Sequence, residues 1–311
     1  MPSSKIAVIG AGMTGITAAR SLTNAGHAVQ VFEKSRGSGG RLASKRSEMG
    51  RVNLGAQGFS TNDPVFLREL NDWQQAGWVE HNHTDQNQWT GTPYMSALTR
   101  NLLGEINTQF ACEIRELSYD HNGWLLHDQH AQTHGPFQKL IVAIPAPQAS
   151  VLLRNCAAGL AEQAATVEMQ PIWMVALGFN QPITPTHSLA HLNNSIIADI
   201  IQTPLSAEHP MQTWMLRASV AWSTEHLEDD HQQVIDSLTK AFSALFNQPL
   251  TFADSSFAHR WRYALGALNT PAKTLTDLSR GLVIAGDWCG HGDTQSAWFS
   301  GKQAAQQLIN N

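Results

Sequence analysis

The sequence predicts an α/β fold organised around a parallel β-sheet. Two stretches at opposite ends of the 311 residues predict it. "KIAVIGAGMTGITAARSLTNAGHAVQVFE" (Lys5–Glu33) reads as strand, glycine-rich turn, helix and second strand. "GLVIAGDWCG" (Gly281–Gly290) reads as another buried strand, and a helix follows it. A composition of 42% hydrophobic and 14% charged residues fits a compact soluble chain.

Ile6–Ile9 is a short apolar run, as a buried parallel strand requires. Gly10, Gly12 and Gly15 follow in the spacing G-x-G-x-x-G, with Ala11, Met13 and Thr14 between them. Gly10 permits the tight turn, Gly12 lets a pyrophosphate approach the backbone, and Gly15 lets helix pack on strand. The helix reads from Thr14 to Leu22, with Ile16, Ala19 and Leu22 on its apolar side, and Asn24–Gly26 ends it. Its N-terminus presents unpaired N–H groups and the positive end of a dipole to phosphates. Val29, Val31 and Phe32 form the next strand. Glu33 lies 18 residues after Gly15, where a carboxylate takes both ribose hydroxyls. An acid there disfavours a 2′-phosphate. The whole is a Rossmann-like dinucleotide site.

"KSRGSGGRLAS" (Lys34–Ser44) comes next. Gly39–Gly40–Arg41 lets a second backbone segment approach the pyrophosphate, and Arg41 neutralises its charge. An ordinary NAD dehydrogenase does not need this second clamp. The densest basic group, Arg36, Arg41, Lys45 and Arg46, is assigned to the same pyrophosphate. At the far end, Leu282–Ala285 is the strand, Gly286–Asp287 closes it, and a helix is predicted to begin near Ser296. Ser296, Ala297, Ser300 and Gly301 are small and permit close approach.

Net charge is −5 and no basic cluster runs far enough to track a nucleic-acid backbone. No apolar run reaches the roughly 18 residues of a membrane helix. The first strand starts almost at once and carries the ligand motif, which argues against a cleaved leader. Cys112, Cys156 and Cys289 are widely spaced and without C-x-x-C. They suit a reducing cytoplasm and argue against disulfides and structural zinc. His81–His83 and His127–His130 read as surface or loop histidines, so no metal is expected.

The two glycine clamps resemble the FAD-binding pattern of the flavin amine oxidase superfamily. "LGAQGFST" (Leu54–Thr61), "MSALTR" (Met95–Arg100), "IPAPQA" (Ile144–Ala149), "HRWRYA" (His259–Ala264) and "GDWC" narrow this to a resemblance to the bacterial renalase-like branch. It runs from the first strand to the last helix. The resemblance implies an FAD-binding domain of the amine oxidase/glutathione-reductase-like type, over 1–60, 104–150 and 279–311. A discontinuous α+β substrate domain would take 61–103 and 151–278. Within these, Glu105–Ser118, Gly123–His127, Phe137–Ala143, Trp173–Phe179 and Thr213–Val220 read as strands, and Asp229–Phe246 as an amphipathic helix.

The resemblance also implies non-covalent FAD, with Cys289 a packed thiol. Contacts fall to the residues from Gly10 to Gly15, to Glu33 and Lys34, to Gly40, Arg41 and Leu42, and to Ala56 and Gln57. Gly286 and Asp287 lie along the ribityl–phosphate chain, Asp287 accepting a ribityl hydroxyl. Ser296, Ala297 and Trp298 open the helix that faces the flavin pyrimidine, where reduction places negative charge. Gln57, Tyr94, Trp261, Arg262 and Trp298 are the pocket candidates. Strand alternation sends His259 and Trp261 to one face, Arg260 and Arg262 to the other. Trp288 reads as packing. Gly58, Tyr94, Gln295, Ser296 and a short segment over 80–91 depart from the family pattern, chiefly on the substrate side.

The implied reaction is removal of a hydride from a small substrate, with electrons passed to O₂ to give H₂O₂. Amine substrates often need a supporting lysine, and none stands in the strand motifs; Lys273 is too near the turn at Pro271. This favours oxidation of the 2- and 6-dihydro isomers of NAD(P)H, which need positioning more than a base. An amine oxidase or desaturase, and a non-catalytic flavin redox sensor, are the alternatives.

Overall fold

A computed structural model describes residues 5–81, 87–185, 196–203, 205–206, 209–246 and 253–311. His83, and the middle of the short segment noted over 80–91, lie outside the described residues. In chain order the elements begin with β1 (Lys5–Ile9), α1 (Met13–Asn24), β2 (Ala28–Phe32), β3 (Ser44–Ser47), β4 (Gly50–Asn53) and β5 (Phe59–Ser60). Then come α2 (Pro64–Gln75), β6 (Val79–His81), β7 (Gln88–Gly91), α3 (Met95–Leu103), β8 (Thr108–Gln109), β9 (Ile114–Asp120), β10 (Gly123–Asp128), β11 (Thr133–Phe137) and β12 (Lys139–Val142). They are followed by α4 (Ala146–Leu153), α5 (Ala158–Ala165), β13 (Gln170–Phe179), β14 (Ile197–Thr203), β15 (Gln212–Ala218) and α6 (Val220–Glu225). The last are α7 (His231–Ser243), β16 (Ser255–Leu265), β17 (Thr274–Asp277), β18 (Leu282–Ala285) and α8 (Thr294–Ile309).

The chain forms two compact units. The first takes Met1–Ala43, Ala56–Met169 and Gly266–Asn311, the second Ser44–Gly55 and Gln170–Leu265. This division departs from the expected boundaries. Residues 61–103 join the first unit because Phe66, Leu70 and Trp73 of α2, with Met95, Leu98 and Leu102 of α3, share one core with α1 and α8. Residues 44–55 form a hairpin of the second.

In the first unit a six-stranded sheet runs β17-β18-β12-β1-β2-β8. All neighbours are parallel except β17, which is antiparallel to β18. Both faces are covered, which is why its strands read as unbroken apolar runs. Ile6 and Val8 of β1, with Val283 and Ala285 of β18, face the core shared with α1 and α8. Ala7 and Ile9, with Leu282 and Ile284, face a second core that holds Trp124, Phe137, Leu153 and Trp288. Glycine sets the closest helix contact: a Cβ on Gly301 of α8 would lie 2.4 Å from the Thr14 carbonyl oxygen of α1.

The predicted strand 105–118 is broken. Ala111 takes φ 53°, so β8 ends on the main sheet and β9 starts a separate sheet β11-β10-β9. Phe137 closes β11, and β12 alone enters the main sheet. A small sheet β5-β7-β6 completes this unit.

The second unit holds the antiparallel sheet β14-β15-β13-β16 and the hairpin β3-β4. The predicted strand over 213–220 stops at Ala218, because Ser219 caps α6 by accepting from the Trp222 N–H. The predicted helix over 229–246 is α7, started by a capping box between Asp230 and Gln233. Val234, Leu238 and Phe242, four residues apart, bury its apolar face beside Trp173 and Trp214.

Candidate cofactor site

The site is built at the end of β1. Gly10 turns the chain with φ +102°, and a Cβ there would lie 2.4 Å from the Ala143 carbonyl oxygen. On Gly15 a Cβ would lie 1.9 Å from the Gly10 carbonyl oxygen. Both glycines are demanded by the fold. Gly12 is different. It is the N-cap of α1 with φ −80°, an ordinary backbone angle, and nothing lies within 4 Å of a Cβ built on it. No side chain caps this helix end and no acid sits in its first turn. An uncapped helix N-terminus beneath an open glycine fits a pyrophosphate.

Glu33 ends the strand register of β2 and is buried. Its Oε2 accepts from the Ala11 N–H at 2.8 Å and its Oε1 from the Ser35 N–H at 2.7 Å. These bonds hold the carboxylate fixed, with lone pairs left for ribose hydroxyls. Met13 and Thr14 are buried in α1, whereas Lys34 points to solvent and is not gathered into the cradle.

The second glycine segment lies against the first. Gly39 bridges Gly12 in parallel, its N–H donates to the Ala11 carbonyl at 2.8 Å, and Gly40 takes φ +53°. Gly40–Leu42 forms a 3₁₀ turn in which Leu42 is buried and Arg41 half-exposed. Arg41 donates to both oxygens of Asp287, at 2.8 and 2.5 Å. The sequence reading gave these two residues separate cofactor roles; the structure joins them in a bidentate pair. Two of the five guanidinium donors are engaged there. The Arg41 carbonyl accepts from the Ala56 N–H, which brings Ala56 and Gln57 to the same end of the unit. The Gln57 carbonyl accepts from Thr90, and its side chain is half-buried. Tyr94 caps α3 from outside, with its hydroxyl 3.3 Å from the Arg100 guanidinium.

The last helix differs from expectation. It begins at Thr294, two residues before Ser296, because Asp293 is its N-cap. Asp293 accepts from the Ser296 N–H at 2.7 Å, and the Ser296 hydroxyl accepts from the His291 N–H at 3.0 Å. The Ser296 N–H is therefore spent, and a carboxylate already sits at the helix's positive end. Gln295 bonds to Thr61, a contact no local pattern announced. Ser300 accepts from the Gly286 N–H at 2.9 Å and donates to the Lys273 carbonyl. Its small size serves strand–helix packing, as Gly301 serves the contact with α1.

Trp298 is also corrected. It is 3% exposed, lies with Ala297 in the α1–α8 core, and its ring centroid is 5.0 Å from that of Phe66. The structure commits it to packing. Trp288 is fully buried and donates to the Ile144 carbonyl. Burial, with Asp287 nearby, pushes the Cys289 thiol up to about 12, so it stays protonated.

The remaining candidates belong to the second unit. His259 and Trp261 do share a face of β16, rings 4.4 Å apart, and Trp261 donates to the Leu54 carbonyl at 2.8 Å. Arg262 is not held toward a pocket. It forks onto Glu228 at 2.7 and 3.0 Å, and Arg260 joins the same carboxylate at 3.0 Å. The Arg262 bonds hold the Glu228 carboxyl below its usual range. Lys45 and Arg46, assigned to the pyrophosphate, lie on the hairpin β3–β4, Lys45 over the Phe257 ring.

Comparison with known proteins agrees with this geometry. Residues 8–73 match the NAD(P)-binding Rossmann-like domain, and residues 79–309 match the flavin containing amine oxidoreductase family. An L-amino-acid oxidase of Bothrops moojeni is 32% identical over 112 residues, 33% of this chain and 20% of that protein. A 4-hydroxybenzoate brominase (decarboxylating) of Pseudoalteromonas luteoviolacea is 29% identical over 148 residues, 45% of this chain and 25% of its own. The chain thus spans a quarter or less of these relatives. A solved structure from Exiguobacterium sp. 255-15, provisionally described as a protoporphyrinogen oxidase, superposes with TM-score 0.75 over 100% of both chains at 11% identity. Cyclohexylamine oxidase from Brevibacterium oxydans superposes with TM-score 0.69 over 99% of both, also at 11%. At that identity the likeness is one of fold. No described helix is long and apolar enough to cross a membrane. With three quarters of the chain matched by that family's model, the protein belongs to the flavin containing amine oxidoreductase family.

Proposed function

We propose that this protein is a renalase-like oxidase that takes a hydride from 2- or 6-dihydro isomers of NAD(P)H and passes the electrons to O₂. FAD, when bound, supplies the hydride acceptor and the route of two electrons to O₂, giving NAD(P)⁺ and H₂O₂. The chain's own residues bind and orient. Gly12 and the open end of α1 receive the pyrophosphate, Glu33 the ribose, and the Arg41–Asp287 pair fixes the turn between them.

The observation that carries the substrate class concerns lysine. Lys273, in the loop before β17, lines a surface cleft of about 550 Å³ with Arg20 of α1 and Lys302 of α8. That places its side chain on the helical layer, on the far side of the sheet from Trp288. Lys139 donates to the Leu308 carbonyl, Lys5 covers Phe137 and Lys45 covers Phe257. None of these is placed as a base for an amine. A dihydropyridine gains aromaticity on losing hydride and needs no base. The three thiols, free and without a disulfide, suit a reducing compartment such as the cytoplasm.

The second reading is oxidation of a small amine. It is supported by the similarity to L-amino-acid oxidases and to cyclohexylamine oxidase. Anaerobic stopped-flow of the flavin-loaded protein separates the two. Fast flavin bleaching by the dihydro isomers, with NAD(P)⁺ released, is the expected result. Bleaching by amines alone would replace the first reading with the second. Bleaching by neither would leave a flavin-binding protein without this catalysis.

A further inference from the structure

Behind β2, the segment before β9 and the hairpin β10–β11 bring together three side chains that the flavin chemistry does not use. Cys112 Sγ lies 3.8 Å from Asp128 Oδ2 and 3.9 Å from His134 Nε2, and these last two atoms are 3.0 Å apart. Cys112 is 3% exposed, and the Asp128 and His134 side chains are 3% and 11% exposed. The positions are 16 and 6 residues apart, a spacing that no C-x-x-C pattern announces. The expectation of scattered loop histidines therefore missed a convergent cluster.

The geometry suits an ion. A point about 2.1 Å from all three atoms lies between them, and zinc bonds run to about 2.3 Å for sulfur and about 2.0–2.2 Å for nitrogen and oxygen. The carboxylate is aimed: Asp128 Oδ1 accepts from the His130 N–H at 2.8 Å and the Gln132 N–H at 3.0 Å, which leaves Oδ2 for the cluster. One thiolate, one carboxylate and one neutral imidazole neutralise a dication, so the filled site carries no net charge into the interior. That donor set is the one borderline-soft divalent ions select.

We propose that Cys112, Asp128 and His134 form a three-ligand site for a divalent ion of the zinc class, with water in the fourth position. Without the ion, burial and the neighbouring Asp128 hold the Cys112 thiol at about 11, so it is protonated at neutral pH. Uptake breaks the S–H bond, forms the metal–sulfur bond and releases that one proton. The bond from His134 Nε2 to the Asp128 carboxylate carries its proton on Nε2, so uptake also moves that proton off Nε2, and the filled site's neutral ring holds one proton, on Nδ1. The site touches the cofactor cradle from behind: the Cys112 N–H donates to the Glu33 carbonyl at 2.9 Å, and the Phe32 and His134 rings are 5.0 Å apart. An occupied site ties this hairpin to the end of β2.

The test uses the reduced, FAD-loaded protein, with Co²⁺ as spectroscopic probe and Zn²⁺ in competition with a chromophoric chelator. Expected is saturable uptake of one ion with a thiolate-to-cobalt charge-transfer band. Cys112→Ser removes the band, and Cys112→Ser and His134→Gln each weaken Zn²⁺ by roughly 100-fold, while flavin content stays unchanged. No saturable uptake by the folded wild type overturns the proposal. So does uptake that both variants retain. Should Cys112→Ser fail to fold, His134→Gln decides alone.

Discussion

Replacing Gly12 by alanine should leave the protein folded and impair its hold on FAD. Two terms decide the folding side. Gly12 has φ −80° and ψ 179°, which alanine adopts freely, and the new methyl meets nothing within 4 Å. Alanine is a poorer N-cap than glycine, at a cost of about 0.5–1 kcal/mol. It also restricts the unfolded chain, a gain of about 0.4–1 kcal/mol. The net change is within about 0.5 kcal/mol, a melting shift of about 2 °C or less. On the binding side, a methyl in the space left for the pyrophosphate costs about 1–3 kcal/mol of overpacking. That weakens FAD by roughly 5- to 150-fold.

Gly15→Ala is the control with the opposite signature. Its Cβ falls 1.9 Å from the Gly10 carbonyl oxygen, so backbone must move, at about 3 kcal/mol or more and a melting loss of about 4 °C or more. The assay is a melting curve of the flavin-free protein beside a flavin titration. Gly12→Ala with wild-type flavin affinity would refute the assignment of that open space to the pyrophosphate. A large loss of apo stability in the same variant would refute the claim that the fold does not require this glycine.

Three further outcomes follow from the same geometry. His259 has a buried Nε2 with no hydrogen-bond partner among the described residues, and burial, then Lys45 and His231, hold its pKa below the ordinary 6.5. The unfolded chain takes up that proton more readily, so the contribution is present above about pH 6.5 and is lost as pH falls through it. His259→Phe should match the wild type in urea unfolding near pH 8 and exceed it near pH 5.5; a variant weaker at both would show that the imidazole is needed. Burial pushes the Cys289 thiol up to about 12 and leaves it a poor nucleophile, so heat or acid should release all the flavin into the filtrate; flavin retained on the denatured chain would contradict this. Arg262→Ala removes an exposed, solvent-screened ion pair, and kcat/KM should hold within a few-fold. A large rise in KM would restore Arg262 to the substrate site.

The cofactor turn was legible because its determinants are local. Strand, glycine spacing, helix and Glu33 lie within one β1–α1–β2 unit, and each is dictated by sterics at a named position. The same holds for β18 and its Gly286–Asp287 ending. What escaped depends on tertiary partners. Arg41 and Asp287 are 246 positions apart, and each had a plausible role alone. Trp298 was placed by residue type, but the direction of a helical side chain is settled by what packs opposite, here Phe66. α8 starts two residues before Ser296 because Asp293 caps it. The domain boundaries failed for a similar reason: α2 and α3 carry amphipathic faces, and sequence does not say which core they cover. The cluster at Cys112 was invisible because a hairpin's strand pattern says nothing of what faces the strand behind it.

The two helices that end on the cofactor cradle are not equivalent, and their caps decide which charge each receives. α1 starts with a bare glycine, no side-chain cap and no acid in its first turn. Its free N–H groups and dipole remain available to an anion. α8 starts with Asp293, whose carboxylate takes the Ser296 N–H and offsets the dipole. A pyrophosphate therefore gains most at α1, whereas negative charge developing near α8 gains less than the bare-helix argument supposes. The cradle compensates by rigidity. Glu33 is already held by two N–H groups, Asp287 by Arg41, and Gly286 by Ser300. Because these bonds exist before the ligand arrives, little ordering cost falls on binding. Affinity for FAD then rests on α1 and on the space above Gly12, which is why a single methyl there separates binding from folding.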